Sequence, residues 1–387
     1  MFTINKFYST INVYRRVFSS KSTKKVVQIS NNKTPKAPKP KKIKWEKRIF
    51  SGIQPTGVLH LGNYFGAIEK WVELQNEGND VLYSIVDLHS ITVHQDPEEL
   101  RSKILLMAAS LIACGIDPAK SVLFQQSKVH QHVELAWVLF CNSTMGRLSH
   151  LPQFKEKTAS MKEIPLGIYL YPVLMAADVM LYRATHVPVG EDQLPHMNLA
   201  VDLAQVFNNR YGETFPVPEI IIEDSARNRV RSLREPLKKM SKSHTDPKSR
   251  IELTDTPDQI VGKVKKAVTD FTSAVSYDPV NRPGVSNLVA LHALSAGKTF
   301  QQVCDENAHI QTGQYKRVVA DAIVEKFNPI REEMNRLLAA PEYLEEVLDQ
   351  GAQRATMLAE ITWMDVKQKI GLQTLPLPRH ISASSVL

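Results

Sequence analysis

The sequence predicts an α/β protein with a doubly wound parallel sheet, followed by an all-α region. Between residues 48 and 207, short apolar runs typical of buried strands alternate with stretches of helical periodicity. From about residue 246 the strand signals fade and only helical periods remain. Hydrophobic residues make up 43% and charged residues 23% of the 387-residue chain, which is the balance of a globular protein with a sizeable core.

Four strands are predicted in the α/β region, and each precedes a helix. The strongest helix start is at residues 96–99, where Asp96 is a good N-cap, Pro97 suits the first helical position and Glu99 the third. Gly78 and Gly115 end the first two helices. The predicted strands are residues 48–54, 81–87, 122–125 and 186–189, and the predicted helices are residues 64–77, 97–114, 133–140 and 194–207.

Helical periods alone continue beyond the α/β region. We therefore predict a catalytic domain at residues 46–245, a helical domain at 246–372 and a disordered tail at 373–387. In a doubly wound sheet, ligands bind beyond the carboxyl ends of the strands, so the loops there are the candidates for a site. The predicted helices of the second domain are residues 257–269, 287–295, 315–338 and 343–370.

The first 45 residues are predicted to be a mitochondrial transit peptide followed by a Lys/Pro linker. They contain 12 of the 48 Lys and Arg residues and no Asp or Glu, so the rest of the chain carries 36 basic against 40 acidic residues. Arg15 and Arg16 among Ser, Thr and spaced apolar residues are typical of a transit peptide, and residues 33–44 predict an extended linker. The expected location is the mitochondrial matrix; a plastid location, or a disordered basic tail that binds RNA loosely, is the alternative.

Composition excludes several classes of protein. Since the excess positive charge lies in the leader, the net charge of +8 gives no argument for a nucleic-acid partner. The longest apolar stretch, residues 104–116, is too short to span a bilayer, which argues against a membrane protein. Three cysteines without CxxC spacing argue against a disulfide framework and a Cys-based zinc site, and no protein-bound metal is expected.

The loop after the first strand is the first candidate site. It reads GIQPTG at residues 52–57 and HLGN at residues 60–63. Its glycines let the backbone approach a ligand, and the helix that begins there directs N–H groups and its dipole toward an anion. His60 and Asn63 carry short donors that reach phosphate or ribose oxygens. An ordinary strand–helix turn with incidental polar residues is the alternative.

A second loop, KKMSKS at residues 238–243, pairs with the first. Alone, a Lys/Ser run is typical of a solvated loop. Together with FSGIQPTG, HLGNY, MAAD and VPVGEDQ, in that chain order, it resembles the tryptophanyl-tRNA synthetases, a family of class I aminoacyl-tRNA synthetases. The resemblance runs from about residue 48 to residue 371, and the presequence is similar to that of mitochondrial members.

The resemblance implies a Rossmann-type catalytic domain and a helical domain that reads the tRNA anticodon. It also implies ATP-dependent activation of L-tryptophan, transfer of tryptophan to tRNA(Trp), Mg²⁺ as a cofactor and a homodimer. The family-wide motif ends in His where this chain has Asn63, so we assign Asn63 hydrogen bonding only. Tyrosyl-tRNA synthetase and a non-catalytic RNA-binding paralogue are the alternatives, with a small adenylyltransferase as a third.

The formation of an aminoacyl-adenylate explains why the site needs lysines. The amino-acid carboxylate is already an anion, so its attack on the ATP α-phosphate needs alignment and cationic stabilisation rather than a general base. The resemblance assigns catalysis to Lys239, Lys242, His60 and Asn63. It assigns ATP binding to these residues and to Gln54, Pro55, Thr56, Gly62, Lys157, Gly190, Glu191, Asp192, Val230, Met240, Ser241 and Ser243. From the residues alone, Glu191 and Asp192 are more typical of first-turn acids of a helix than of a nucleotide site.

The amino-acid pocket is expected around residues 171–178. Tyr171, Met175 and Asp178 share one helical face, and a carboxylate on such an apolar face is costly unless something donates to it. The resemblance assigns Asp178 to the indole N–H of tryptophan. An unpaired acid rejects phenylalanine-like ligands, so no editing domain is needed. Phe50, Gly52, Val187 and Gln193 match the other pocket positions.

Overall fold

The computed structural model describes residues 43–151, 163–222, 230–242 and 244–373. Nearly all of the predicted leader and tail, together with Lys157 and Ser243, lies outside these residues. The described residues from Lys44 onward form one compact unit. The predicted domain boundary at residue 245 stays a prediction.

A five-stranded parallel sheet forms the centre of the protein, in the order β3-β2-β1-β4-β5. Parallel pairing aligns the first two strands from Arg48 opposite Asp80 to Ile53 opposite Ile85. The order reverses between β1 and β4, so the crevice at the carboxyl ends of these two strands is the expected ligand position. The strands are β1 (Arg48–Ile53), β2 (Asp80–Ile85), β3 (Val122–Gln125), β4 (His186–Val189) and β5 (Glu219–Ile222).

The predicted fold class is confirmed, and so are the four predicted strands, with end shifts of one or two residues. β5 was not predicted. It is a four-residue edge strand whose side chains are half-buried or exposed, and its apolar run, residues 220–222, is shorter than the runs of about four to eight residues that mark a buried strand.

Helices cover both faces of the sheet and dominate the described residues from 257 to 370. A π-helical turn, Tyr64–Ile68, joins the first two. They are α1 (Leu61–Asn63), α2 (Glu69–Asn76), α3 (Asp87–Ser90), α4 (Pro97–Ala113), α5 (Gln131–Asn142), α6 (Met145–Ser149), α7 (Leu166–Leu181), α8 (Leu194–Tyr211), α9 (Pro257–Lys265), α10 (Pro283–Ala296), α11 (Phe300–Glu306), α12 (Thr312–Leu338) and α13 (Pro341–Ile370).

Local chemistry explains some helix ends and tertiary contacts explain others. Asp96 caps α4 by accepting from the N–H groups of Glu98 and Glu99, as its sequence predicts. By contrast, α9 ends at Lys265 rather than continuing to residue 269, because the N–H of Val268 pairs with the carbonyl of Leu233 instead. A tertiary hydrogen bond overrides helical periodicity there.

Alternate side chains of the strands point into two apolar layers. Tyr83 of β2 packs in one layer, and Leu82 packs in the other. The last helix, α13, lies so close to the edge strand β3 that a Cβ on Gly351 would stand 1.7 Å from the carbonyl oxygen of Leu123. Only glycine allows this approach, and the helix protects the sheet edge. Among the described residues, no helix has the length and apolar character needed to cross a bilayer.

Candidate active site

The loop after β1 folds back on itself through His60. The Nδ1 atom of His60 accepts the N–H of Asn63, and Asn63 Oδ1 accepts the N–H of His60, which makes a capping box at the start of α1. The N–H of Leu61 donates to the carbonyl of Ile251. Two of the first N–H groups of this helix are therefore used within the protein, which corrects the expectation that they are free for an anion.

Charges near His60 fix its protonation. Burial and the Lys242 and Arg250 charges lower the pKa of His60 to about 4, so the ring is neutral at pH 7. Because Nδ1 accepts a hydrogen bond, the proton of the neutral ring is on Nε2, where it is available to donate. Lys239 lowers this pKa as well. Three cations thus act on one loop, an arrangement that suits a polyanion.

The two predicted loops meet although 185 residues separate them. Lys242 Nζ donates to Thr56 Oγ1 at 3.2 Å and to the carbonyl oxygen of Gly57 at 3.0 Å. Burial lowers the pKa of Lys242 to about 8, so the ammonium group is mostly protonated at pH 7. Gly62 lets the loops approach, because a Cβ there would lie 3.0 Å from the His60 ring and 3.5 Å from the Met240 Cβ.

A cleft of about 1020 Å³ opens at the carboxyl ends of β1 and β4. It lies at the reversal of strand order, where a doubly wound sheet binds its ligands. Every residue predicted for the tryptophan pocket lines this cleft: Phe50, Gly52, Tyr171, Met175, Asp178, Val187 and Gln193. Four of the residues predicted for ATP line it too: Gln54, Gly190, Glu191 and Asp192. The other described ATP residues lie in the two loops or, for Val230, at the base of the second loop.

Asp178 is the most constrained group in the cleft. Its side chain is buried, and its Oδ1 accepts from Gln126 Nε2 at 2.6 Å and from His132 Nδ1 at 2.7 Å. Its Oδ2 accepts from His89 Nε2 at 2.8 Å. Burial raises the pKa of the carboxyl, but hydrogen bonds from His132 and His89 outweigh it and hold this pKa well below its usual range.

Comparison with known proteins identifies the family. Residues 42–328 match the family model described as tRNA synthetases class I (W and Y). The chain belongs to this family. It is 45% identical to the tryptophan–tRNA ligase of Wolinella succinogenes over 328 residues, which are 84% of this chain and 99% of that protein.

Solved synthetase structures resemble this one. The tryptophanyl-tRNA synthetase of Mycoplasma pneumoniae has a TM-score of 0.77 and 30% identity, over 84% of this chain and 98% of that one. That of Campylobacter jejuni, solved with ADP and tryptophan, has a TM-score of 0.74 and 33% identity, over 84% of this chain and 99% of that one.

In this class I synthetase, the tautomers around Asp178 follow from hydrogen bonding. An ionised carboxylate only accepts, so the His132 Nδ1 that faces it carries the ring proton. His132 Nε2 then accepts from the Tyr182 hydroxyl at 2.8 Å. Burial, followed by the Asp178 charge, raises the pKa of Tyr182 well above its usual value. The carboxylate, imidazole and hydroxyl form one buried chain in which each proton has a fixed position.

Sequence reasoning missed several residues of this synthetase site. His89 and Gln126 lie directly after β2 and β3, at the sheet edge where ligands bind, so their position was a signal that could have found them. His196, whose Nε2 lies 2.9 Å from the Tyr171 hydroxyl, carried a similar signal, because it follows the predicted Gln193 by three residues in the segment after β4. Arg250 lies outside these segments and acts on His60 only because tertiary folding brings it there.

Proposed function

We propose that this synthetase joins L-tryptophan to tRNA(Trp) in the mitochondrial matrix and works as a homodimer. The reaction has two steps: tryptophan and ATP give tryptophanyl-adenylate and pyrophosphate, and the tryptophanyl group then passes to a hydroxyl of the terminal ribose of the tRNA with release of AMP. The contact of Lys242 with Thr56 and Gly57 beside the cleft is the observation that carries this proposal. It places a cation next to the loop that begins at the end of β1.

In the first step, the tryptophan carboxylate forms a bond to the ATP α-phosphorus while the bond to the pyrophosphate oxygen breaks. Negative charge grows on the departing pyrophosphate, and the lysine loop is placed to stabilise it. Lys239 is exposed and its side chain has no partner among the described residues. When ATP binds, Lys242 exchanges the neutral oxygens of the first loop for phosphate oxygens. The interactions of both lysines with the phosphates therefore strengthen as negative charge develops on the pyrophosphate. The neutral His60 donates from Nε2.

The amino-acid end explains tryptophan selectivity. A carboxylate has about four acceptor positions, and three protein donors occupy three of those of Asp178. The remaining one suits the single N–H of an indole. A ligand without this donor leaves a buried charge incompletely paired, which disfavours phenylalanine by roughly 10⁴-fold.

We propose that Mg²⁺ enters as the ATP complex. No group of three His, Cys, Asp or Glu side chains in residues 43–151, 163–222, 230–242 and 244–373 is arranged to hold a metal. Magnesium usually binds through substrate phosphates with one or two carboxylates, and Glu191 and Asp192 line the cleft. The ion supplies further neutralisation of phosphate charge.

Exposed apolar side chains support the homodimer. Trp137 on α5 is 69% exposed, Met145 on α6 is 78% exposed and Leu166 at the start of α7 is 67% exposed. Helices α5 and α6 both pack against α7, and exposed apolar groups on neighbouring elements are typical of subunit interfaces. Sedimentation of the wild-type protein and of Trp137→Glu tests this, and a wild-type monomer would contradict it.

The acid-free leader supports the mitochondrial location. A reporter fused to residues 1–45 is expected to enter mitochondria, and a diffuse cytosolic reporter would contradict the proposal.

Exchange of labelled pyrophosphate into ATP tests the activity without tRNA. Tryptophan is expected to support exchange, whereas tyrosine and phenylalanine are not. Exchange with tyrosine alone would favour tyrosyl-tRNA synthetase. Absence of exchange with all three, in protein that still binds tRNA, would favour the non-catalytic RNA-binding alternative.

A further inference from the structure

Asn287 joins the helical region to the catalytic lysine loop. It lies on α10 and is 4% exposed. The N–H of Arg231 donates to Asn287 Oδ1 at 2.9 Å, and Asn287 Nδ2 donates to the carbonyl oxygen of Arg231 at 3.0 Å. One side-chain amide therefore satisfies both backbone groups of one residue, as a neighbouring strand does in an antiparallel hydrogen-bonded pair.

The other face of the same backbone segment holds the lysine loop. Arg231 forms an antiparallel bridge with Lys239. On either side of this bridge, the N–H of Ser232 donates to the Lys238 carbonyl at 2.9 Å and the N–H of Met240 to the Val230 carbonyl at 3.4 Å. Residues 230–232 are thus an extended segment that pairs with the Asn287 amide on one side and with residues 238–240 on the other.

Apolar packing holds only the base of the loop against α10, where Val230 and Leu233 are buried in the same apolar cluster as that helix. The tip of the loop is not packed in this way. A cavity of about 330 Å³ lies between Pro236 and Leu237 on the loop side and Tyr277, Pro279 and Pro283 on the helical side. Leu237 is 79% exposed. The paired hydrogen bonds of Asn287 are the direct polar link between residues 230–232 and α10, and they add directional constraint to the apolar packing. The lysine loop is joined to the same segment through the bridge between Arg231 and Lys239.

Helix α10 does not depend on Asn287 for its own place in the fold. Val285, Leu288, Val289 and Leu291 of the same helix are fully buried in the apolar core. Loss of the Asn287 amide would leave this packing intact while it removes the hydrogen bond that holds the outer side of residues 230–232. The expected effect is a displaced loop on a folded protein.

We propose that Asn287 is a positioning residue for the activation step, which holds Lys239 and Lys242 where they meet the phosphates. This proposal rests on the proposed function. A misplacement of about 1 Å in groups that stabilise a transition state costs about 100-fold in rate, so the amide has a large effect without touching a ligand.

Asn287→Asp is the test variant and Asn307→Asp its matched control. Each keeps the size of the side chain and replaces an amide donor by a carboxylate oxygen facing a backbone carbonyl. Asn307 is 6% exposed, and its Nδ2 donates to the Val303 carbonyl at 2.7 Å, away from the lysine loop. Both variants lose a comparable buried hydrogen bond in the helical region, so the structural cost is matched.

Pyrophosphate exchange and tryptophan binding are measured well below the melting temperature of each variant. Asn287→Asp is expected to lower kcat of exchange by about 100-fold and to change tryptophan affinity by less than about twofold, whereas Asn307→Asp changes both by less than about twofold. In combination with Lys242→Ala, Asn287→Asp should add much less than its separate effect, because both act through one group. Equal rate losses in the two Asp variants would overturn the proposal.

Hydrogen exchange gives a readout that does not depend on activity. Asn287→Asp is expected to speed amide exchange in residues 230–242 while α10 keeps its protection. Faster exchange throughout α10, with the loop unchanged, would mean that Asn287 only stabilises its helix. If the wild-type protein lacks tryptophan-dependent exchange, the proposed function fails, and the hydrogen-exchange result still decides whether Asn287 holds the loop.

Discussion

At the nucleotide end of the site, cations from distant parts of the chain meet in loops that reach the surface. At the amino-acid end, a buried carboxylate is held by three fixed donors. Lys239 is exposed and unpaired among the described residues, whereas Asp178 is 2% exposed and accepts three hydrogen bonds. The contrast follows the chemistry, because phosphate charge moves during the reaction while the indole ring does not.

The two ends of the site differ in how strongly they discriminate between ligands. A buried carboxylate with one acceptor position left open discriminates sharply, because a ligand that does not donate to that position leaves the charge incompletely paired. Flexible lysines on loops that reach the surface discriminate little but can follow charge as it moves toward pyrophosphate. The two ends should therefore respond differently to substitution: the nucleotide end in rate, and the amino-acid end in selectivity and stability.

Lys242→Ala is expected to give the largest effect. Loss of an ammonium group aimed at developing charge should lower kcat of pyrophosphate exchange by about 10²–10³-fold. Tryptophan affinity, measured by fluorescence or calorimetry, should stay within about twofold of wild type because Lys242 contacts the other loop. A parallel loss of tryptophan affinity would show that the two ends are not separate.

Asp178→Asn should act mainly on selectivity. The amide keeps one acceptor but faces His89 or His132 with a donor, so discrimination between tryptophan and phenylalanine should fall by about 100-fold or more in kcat/KM. The measurement is exchange with both amino acids. KM for ATP should change little, and unchanged discrimination would refute the role assigned to the carboxylate.

The pH dependence of the nucleotide end should follow Lys242. Its pKa is lowered to about 8, so the cationic form dominates below that pH and is lost as pH rises through it. The kcat/KM for ATP should fall roughly tenfold between pH 7 and pH 9, since this parameter reports ionisations of the free enzyme. Lys242→Arg, which stays charged, is the control and should flatten the decline. If the variant has the same pH profile as the wild-type protein, the decline belongs to another ionising group.

Tyr182→Phe is expected to have the smallest effect on activity. It removes only the hydroxyl that donates to His132 Nε2, which leaves a buried acceptor unpaired at a cost of about 1–3 kcal/mol. The melting temperature should fall by a few degrees while KM for ATP stays unchanged. A change in ATP parameters without any loss of stability would contradict the division between the two ends.

The sequence predicted the fold class because its signals are local. Alternation of apolar runs with helical periods marks β1 to β4, and Asp96 with Pro97 marks the start of α4. The pocket residues Tyr171, Met175 and Asp178 could be named because their spacing and family resemblance agree. β5 was missed because its run of three isoleucines is too short to mark a buried strand, and the early end of α9 was missed because a tertiary hydrogen bond leaves no trace in the helical period.

Residue types and their order along the chain determined the sheet, the two loops and the presence of an acid on an apolar helix face. Only the tertiary structure decided that Lys242 reaches Thr56, that two histidines and a glutamine hold Asp178, and that Asn287 pairs with Arg231. Periodicity is a property of neighbouring residues, whereas these contacts join segments tens to hundreds of residues apart, and their geometry exists only once the layers have packed.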